Sequence, residues 1–159
     1  MGLSVYGTDL EPRMIEYSAA NLEWLKSTHH IDFASKVEVG DATSYRWQSP
    51  IDIVATETYL GRPFATTPSP AVLTEVMGTC NVILSKFLAG LRGQISANTG
   101  MTIAVPCWFM HGKTHHLPLI RNLTEMGFEQ IFYSDKPTAL IYHREDQVVG
   151  RELLVLRKK

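Results

Sequence analysis

The sequence predicts an α/β fold in which a mostly parallel sheet is covered by helices and closed by an antiparallel hairpin. Short apolar segments, several ending at acidic residues, alternate with longer segments whose apolar residues recur every three or four positions. That is the pattern of strands returning through helices to a parallel sheet. Near the carboxyl terminus two extended segments flank Arg144-Glu145-Asp146-Gln147, as the strands of a hairpin flank a polar turn. The chain has 159 residues, 45% hydrophobic and 19% charged, enough to bury one substantial core and short for two. A single domain over residues 1–159 is the expectation.

The first strand is read in Leu3-Ser4-Val5-Tyr6-Gly7-Thr8-Asp9, which alternates until it reaches an acid. Pro12 suits a first helical turn, where its missing N–H has no partner to lose. From Pro12 to Lys26, Met14, Ile15, Ala19, Leu22 and Leu25 recur at helical spacing. Val37 to Asp41 is a brief strand ending in Gly40-Asp41. Ile51 to Ala55 is another, and its nearly continuous apolar run predicts burial on both faces. Gly61 to Pro70, with Pro63, Pro68 and Pro70 among Thr and Ser, is a structured loop. A long helix over Ala71 to Leu91 offers Val72, Val76, Cys80, Ile83, Phe87 and Leu91 to the sheet as one stripe. Met101 to Val105 reads as an apolar strand, His115 to Met126 as a helix with Leu117, Ile120 and Leu123 inward, and Phe128 to Tyr133 as extended. Ala139 to His143 and Val148 to Leu156 form the hairpin.

Fifteen Lys+Arg against sixteen Asp+Glu give a net charge of −1, so attraction of a polyanion by the protein as a whole is excluded and any nucleic-acid contact falls to a local patch. No apolar run approaches the roughly 18 residues of a membrane span. Met1-Gly2-Leu3-Ser4 lacks the basic-then-apolar form of a signal peptide. A soluble, cytoplasmic protein without membrane partners is expected. Cys80 and Cys107 stand far apart, each in an apolar stretch, which suits buried thiols in a reducing compartment.

In open α/β sheets ligands bind beyond the carboxyl ends of the parallel strands. Asp9, Asp41 and Glu57-Thr58-Tyr59 each follow one of the predicted strands. A carboxylate there can accept hydrogen bonds from ribose hydroxyls or an adenine amine, and an acid beside an aromatic can hold a flat substrate. Carboxylates after strands also serve as caps and turn formers, and it is the order of the three that carries the functional reading.

Three segments show that order: Val5-Tyr6-Gly7-Thr8-Asp9-Leu10-Glu11-Pro12-Arg13-Met14, then Val39-Gly40-Asp41-Ala42, then Ile51-Asp52-Ile53-Val54-Ala55-Thr56-Glu57-Thr58-Tyr59-Leu60-Gly61. They resemble the second, third and fourth motifs of class I S-adenosylmethionine-dependent methyltransferases. Tyr142-His143-Arg144 with Val149-Gly150-Arg151-Glu152-Leu153-Leu154-Val155-Leu156 is similar to the closing hairpin of the tRNA guanine methyltransferases that often carry a THUMP domain. The resemblance spans nearly the whole chain. It implies a Rossmann-like three-layer sandwich, S-adenosylmethionine as cofactor, and methyl transfer to an exocyclic amine of guanine in RNA, with tRNA as the substrate partner. On this resemblance Asp9 with Leu10 binds the ribose and Asp41 with Ala42 the adenine. Glu57 orients the target amine, Tyr59 stacks on the base, and Thr58, Arg62 and Trp108 contact the substrate.

The sequence departs from the family at two places. The family's first strand and glycine-rich turn belong before Leu3, and no Gly-x-Gly-x-Gly occurs in the chain. An N-terminally truncated fold is therefore expected, either because an upstream segment is missing or because the chain is a degenerate relative. Such a chain should bind S-adenosylmethionine weakly or not at all. The gap should be closed by direct pairing of the Asp9 strand with the Ala55 strand or by a second copy in a homodimer. At the fourth motif the family's Asp or Asn, Pro, Pro and aromatic give way to Glu57-Thr58-Tyr59, which brings acid and aromatic one position closer. A DNA amino-methylase and a non-catalytic module completing its sheet with another chain are the rival readings.

Other constellations are weaker. His115 lies four residues after His111, with His116 adjacent, and such spacing can place two imidazoles on one helix face, but no Glu or Cys completes a ligand set, so no metal is expected. Arg62, Lys113, Arg121, Arg144, Arg151, Arg157, Lys158 and Lys159 form either a phosphate-contacting rim or scattered solubilising charge. Trp24 and Trp47 read as packing residues, while Trp108 is placed just beyond a strand end. Ser18 and Ser134 have no readable His/Asp partners for a hydrolase triad.

Overall fold

The computed structural model describes residues 4–48, 50–64, 66–133 and 138–159; Leu3 and Ser134 lie outside the described residues. The chain divides into two compact units, Met1–Tyr45 and Arg46–Lys159.

The first unit is a β-α-β element built from β1 (Ser4–Asp9), α1 (Pro12–His29) and β2 (Ala34–Val39). β1 and β2 pair in parallel, from Ser4 opposite Ala34 to Asp9 opposite Val39. Pro12 opens α1 as expected, and the helix runs three residues past Lys26. It stops where His30 turns left-handed at φ 52° and its N–H bonds back to the Lys26 carbonyl. β2 begins and ends earlier than the sequence indicates. Pairing with β1 draws in Ala34 to Lys36, and beyond Val39 the Gly40 N–H goes to the Asp9 carbonyl at 2.9 Å. Asp41 then starts a turn in which its carbonyl accepts from Ser44 and Tyr45. None of the described residues of this unit is fully buried.

The second unit contains β3 (Ile53–Glu57), α2 (Pro70–Arg92), β4 (Gly100–Met110), β5 (Lys113–His115), a 3₁₀ helix (Pro118–Asn122), β6 (Phe128–Gln130), β7 (Leu140–Tyr142) and β8 (Val149–Lys158). Its six-stranded sheet has the order β3-β4-β8-β6, with β5 beside β4 and β7 beside β8. β3 and β4 are parallel and every other pairing is antiparallel, including the predicted hairpin of β7 and β8. The single mixed sheet expected from the sequence is thus resolved as two sheets, and direct pairing of the Asp9 strand with the Ala55 strand does not occur among the described residues. Each of those strands pairs with its own parallel partner instead.

Four local expectations are corrected. β3 is an edge strand paired only with β4 among the described residues, so Ile53 is 77% exposed rather than buried on both faces. β4 extends to Met110 because β8 pairs with it along nine positions, Gly100 opposite Arg157 through Trp108 opposite Val149. The helix expected over His115 to Met126 is instead a strand end and one short 3₁₀ segment. Pro118 forces Leu117 into extended backbone at φ −62°, ψ 130°, which bars a helix entering from His115. Finally, α2 is long and apolar enough by length and composition to cross a membrane, with a mean hydropathy of 1.3 over its most apolar window.

In this fold α2 is a core helix. Ser69 caps it by accepting from the Val72 N–H. Its buried stripe is Leu73, Val76, Cys80, Leu84, Phe87, Leu88 and Leu91, rotated slightly from the predicted one so that Leu73, Leu84 and Leu88 take the places of Val72 and Ile83. With Met101, Ile103 and Val105 of β4 and Leu154 and Leu156 of β8 these residues make the core. Both cysteines are buried free thiols, and burial pushes each up to about 11.

Candidate functional site

The first unit presents two carboxylates at the carboxyl ends of neighbouring parallel strands. Asp9 closes β1 and Asp41 follows β2 by one residue beyond Gly40, both exposed. Each side chain shapes the loop behind it: Asp9 Oδ1 accepts from the Glu11 N–H at 2.8 Å and Asp41 Oδ1 from the Thr43 N–H at 2.9 Å. Leu10 is 71% exposed beside Asp9, and Ala42 is half-buried in the Asp41 turn.

Next to these acids lies a cluster that motif reading missed. Tyr6 faces Lys36 and Thr8 faces Glu38 across the β1–β2 pairing, which puts Tyr6 and Glu38 on one face. The Tyr6 and Tyr45 hydroxyls both donate to Glu38 Oε1, and Lys36 Nζ lies 2.9 Å from Glu38 Oε2. These donors, Tyr45 foremost, then Tyr6 and Lys36, hold the Glu38 carboxyl down at about 2. The Tyr6 phenol is pushed above its ordinary range by desolvation and then by its hydrogen bond to Glu38. Gly40 makes the arrangement possible, because a Cβ there would meet the Tyr45 ring at 2.3 Å. The cluster therefore ties Tyr45 to the strands and fixes the loop that carries Asp41. Alternation in Lys36-Val37-Glu38 was the available sequence signal, but the register with β1 was needed to use it.

In the second unit Glu57 ends β3, and its Oε2 accepts from Arg151 Nε of β8 across β4. Thr58 continues the sheet hydrogen bonding, its N–H at 2.9 Å and its hydroxyl at 3.3 Å from the Ala104 carbonyl. Tyr59 follows with its ring half-exposed. Gly61 then turns at φ 86° against α2, where a Cβ would meet Val76 Cγ1 at 2.6 Å. Arg62 is exposed and lies over the Phe64 ring at 5.9 Å.

Trp108 departs from its expected place. It sits inside β4 opposite Val149 and His115, at 0% exposure, so it offers no ring face to a substrate. Its Nε1 is buried without a hydrogen-bond partner among the described residues. The continuation of β4 through the β8 and β5 pairings is what encloses it. Trp47 packs edge-on against Phe87, whereas Trp24 is 60% exposed on α1.

The three histidines do not share a helix face. His111 is a left-handed turn residue at φ 50°, His115 ends β5, and His116 Nδ1 bonds Glu152 Oε2 at 2.6 Å. No group of three metal-ligating side chains forms among the described residues. Several residues of the expected basic rim are spent locally: Arg157 pairs with Glu129 at 2.6 Å, Lys158 Nζ donates to the Ile95 carbonyl, and Arg144 reaches the Tyr142 hydroxyl.

No protein-family model and no curated protein matches this chain. Solved structures do. TrmN from Thermus thermophilus superposes with a TM-score of 0.55 at 16% identity, over 98% of this chain and 36% of that one. An N-methyltransferase, NodS from Bradyrhizobium japonicum, in complex with S-adenosyl-L-homocysteine, gives 0.57 at 9% identity, over 99% and 78%. An rRNA methylase from Streptococcus thermophilus gives 0.50 at 14%, over 98% and 75%. This chain thus spans little more than a third of TrmN. Likeness of this kind is a statement about architecture. The chain has the Rossmann-like α/β fold of these methyltransferases.

Proposed function

We propose that this chain is an S-adenosylmethionine-dependent methyltransferase domain acting on an exocyclic amine of guanine in RNA, with tRNA as its substrate. The observation that carries the reading is the pair of exposed carboxylates, Asp9 and Asp41, at the carboxyl ends of two adjacent parallel strands. Ribose hydroxyls and an adenine amine are donors, and carboxylates are acceptors, so this donor–acceptor chemistry fits the nucleoside part of the cofactor. Asp9 with Leu10 would hold the ribose and Asp41 with Ala42 the adenine. The bound cofactor supplies an electrophilic methyl group.

In the second unit Arg151 holds Glu57 at the end of β3, so that the carboxylate can accept a hydrogen bond from a target amine. The half-exposed Tyr59 ring can stack on the base. Arg62, exposed nearby in sequence, can meet a phosphate. In-line transfer to an amine needs orientation and removal of one proton, so these residues act by positioning. The N-methyltransferase and rRNA methylase among the structural neighbours support amine and RNA chemistry as readings of this fold. Two buried thiols favour a cytoplasmic setting.

The test combines calorimetric titration of S-adenosylmethionine with radiolabelled methyl transfer to unmodified tRNA transcripts and to DNA. Binding weaker than micromolar is expected, because no glycine-rich turn supplies backbone donors. Asp9→Ala and Asp41→Ala should each weaken binding by about tenfold, the worth of one hydrogen bond to a charged group. Glu57→Gln should lower transfer while leaving cofactor binding in place. Transfer to DNA and not tRNA would overturn the substrate assignment, and binding indifferent to both aspartates would overturn the site. A second reading, a non-catalytic module that completes its sheet with another chain, is favoured by β3, whose outer edge pairs with no strand among the described residues.

A further inference from the structure

Glu152 and His116 form a hydrogen-bonded pair that the reading above does not use. Glu152 lies on the buried face of β8, only 4% exposed, between the core residues Gly150 and Leu154. A carboxylate in such a place is costly unless paired. Its partner is His116 Nδ1 at 2.6 Å, just ahead of the Pro118–Asn122 segment. Carboxylates accept, so Nδ1 carries the hydrogen and Nε2 is the outer nitrogen of the ring. Nε2 has no partner among the described residues.

Both side chains line a cavity of about 390 Å³, to which Arg121, Gln130 and Phe132 also contribute. The volume lies within the range of about 300–1,000 Å³ usual for small-molecule sites. Arg121 is exposed and has no acidic partner among the described residues. Phe132 is 42% exposed, so its ring is open to a ligand in the cavity. The lining therefore has two characters. Arg121 offers a charged, forked donor to an anion. Gln130 offers an amide that both donates and accepts, beside an aromatic ring.

We propose that this cavity binds a nucleoside monophosphate unit, with its phosphate on Arg121 and its base stacked on Phe132 and read by Gln130. A phosphate alone would leave Phe132 and Gln130 without a role, and an apolar molecule would make no use of Arg121 or Gln130. The unit is either a free nucleotide or one nucleotide of a single strand. The site stands on the second unit alone and does not depend on methyl transfer.

The experiment titrates the whole chain with AMP, GMP, CMP and UMP, with the four nucleosides, with inorganic phosphate and with a short single-stranded oligouridine. Saturable binding of at least one monophosphate is expected. Arg121→Ala should weaken it about tenfold and leave the nucleoside unchanged, while Phe132→Ala should weaken both. Both residues are exposed, so neither change threatens the fold, and circular dichroism confirms that. Oligouridine binding much tighter than UMP with the same Arg121 dependence supports the site and identifies an RNA strand as the source. Equal binding supports it with a free nucleotide as the source. Absence of saturable monophosphate binding, inorganic phosphate competing as well as any nucleotide, or indifference to both substitutions would overturn the proposal.

Discussion

Glu38 shows how one carboxylate can be committed to structure in a chain where other acids wait at strand ends. Three donors converge on it, from Tyr6 and Lys36 in the strands and from Tyr45 beyond the Asp41 turn. Because the folded carboxyl sits near 2 and its ordinary value is 4.5, its contribution to stability is present above about pH 4.5 and is lost as pH falls toward 2. Tyr45→Phe removes the largest of those donors. The Glu38 titration followed by NMR should then move upward, and acid unfolding of the first unit should begin at higher pH. An unchanged Glu38 titration in that variant would show that Tyr45 does not hold the carboxyl down.

Among the elements, the loop after β3 owes its path to a single glycine. Gly61 adopts φ 86°, and its missing side chain leaves room for Val76 of α2, itself a buried residue. A Gly61→Ala change meets both a left-handed backbone penalty and overpacking, a loss of about 2–4 kcal/mol in urea unfolding. A loss below about 0.5 kcal/mol, within the usual spread of surface changes, would mean that the loop moves off α2 at little cost. The same region shows what sequence can and cannot convey about elements. α1 and α2 were legible because a period of 3.6 is a local property, whereas the length of β4 was not, because β8 extends it from a distant part of the sequence. The misread segment is instructive: Leu117, Ile120 and Leu123 recur every three residues, which fits a 3₁₀ turn better than an α-helix, and Pro118 marks the break. Asp9 and Asp41 were legible as site candidates because each follows a short segment that reads as a strand. The Tyr6, Glu38 and Tyr45 cluster and the His116–Glu152 pair were not, since both depend on pairings distant in sequence.

On the scale of the whole molecule, stability is unevenly distributed. The buried apolar residues all belong to the second unit, while no described residue of Met1–Tyr45 is fully buried, and α1 itself has none. A β-α-β element of this size without a core of its own is near the limit at which a chain folds at all, and regions poor in burial open locally at low free-energy cost. Amides of β1 and β2 should therefore exchange with solvent much faster than those of β4 and β8, although both pairs are regular ladders. The proposed cofactor adds a sharper test, because Asp9 and Asp41 lie in the weaker unit. A ligand that binds only the folded form adds about 2.7 kcal/mol at a hundred times its dissociation constant. S-adenosyl-L-homocysteine in that excess should slow exchange in β1 and β2 by about a hundredfold and leave β4 and β8 nearly unchanged, and Asp9→Ala should cut the slowing to about tenfold at the same ligand concentration. Equal protection of the two ladders without ligand would show that the first unit draws its stability from something other than buried side chains. Slowing confined to β4 and β8 would place the ligand away from the two aspartates.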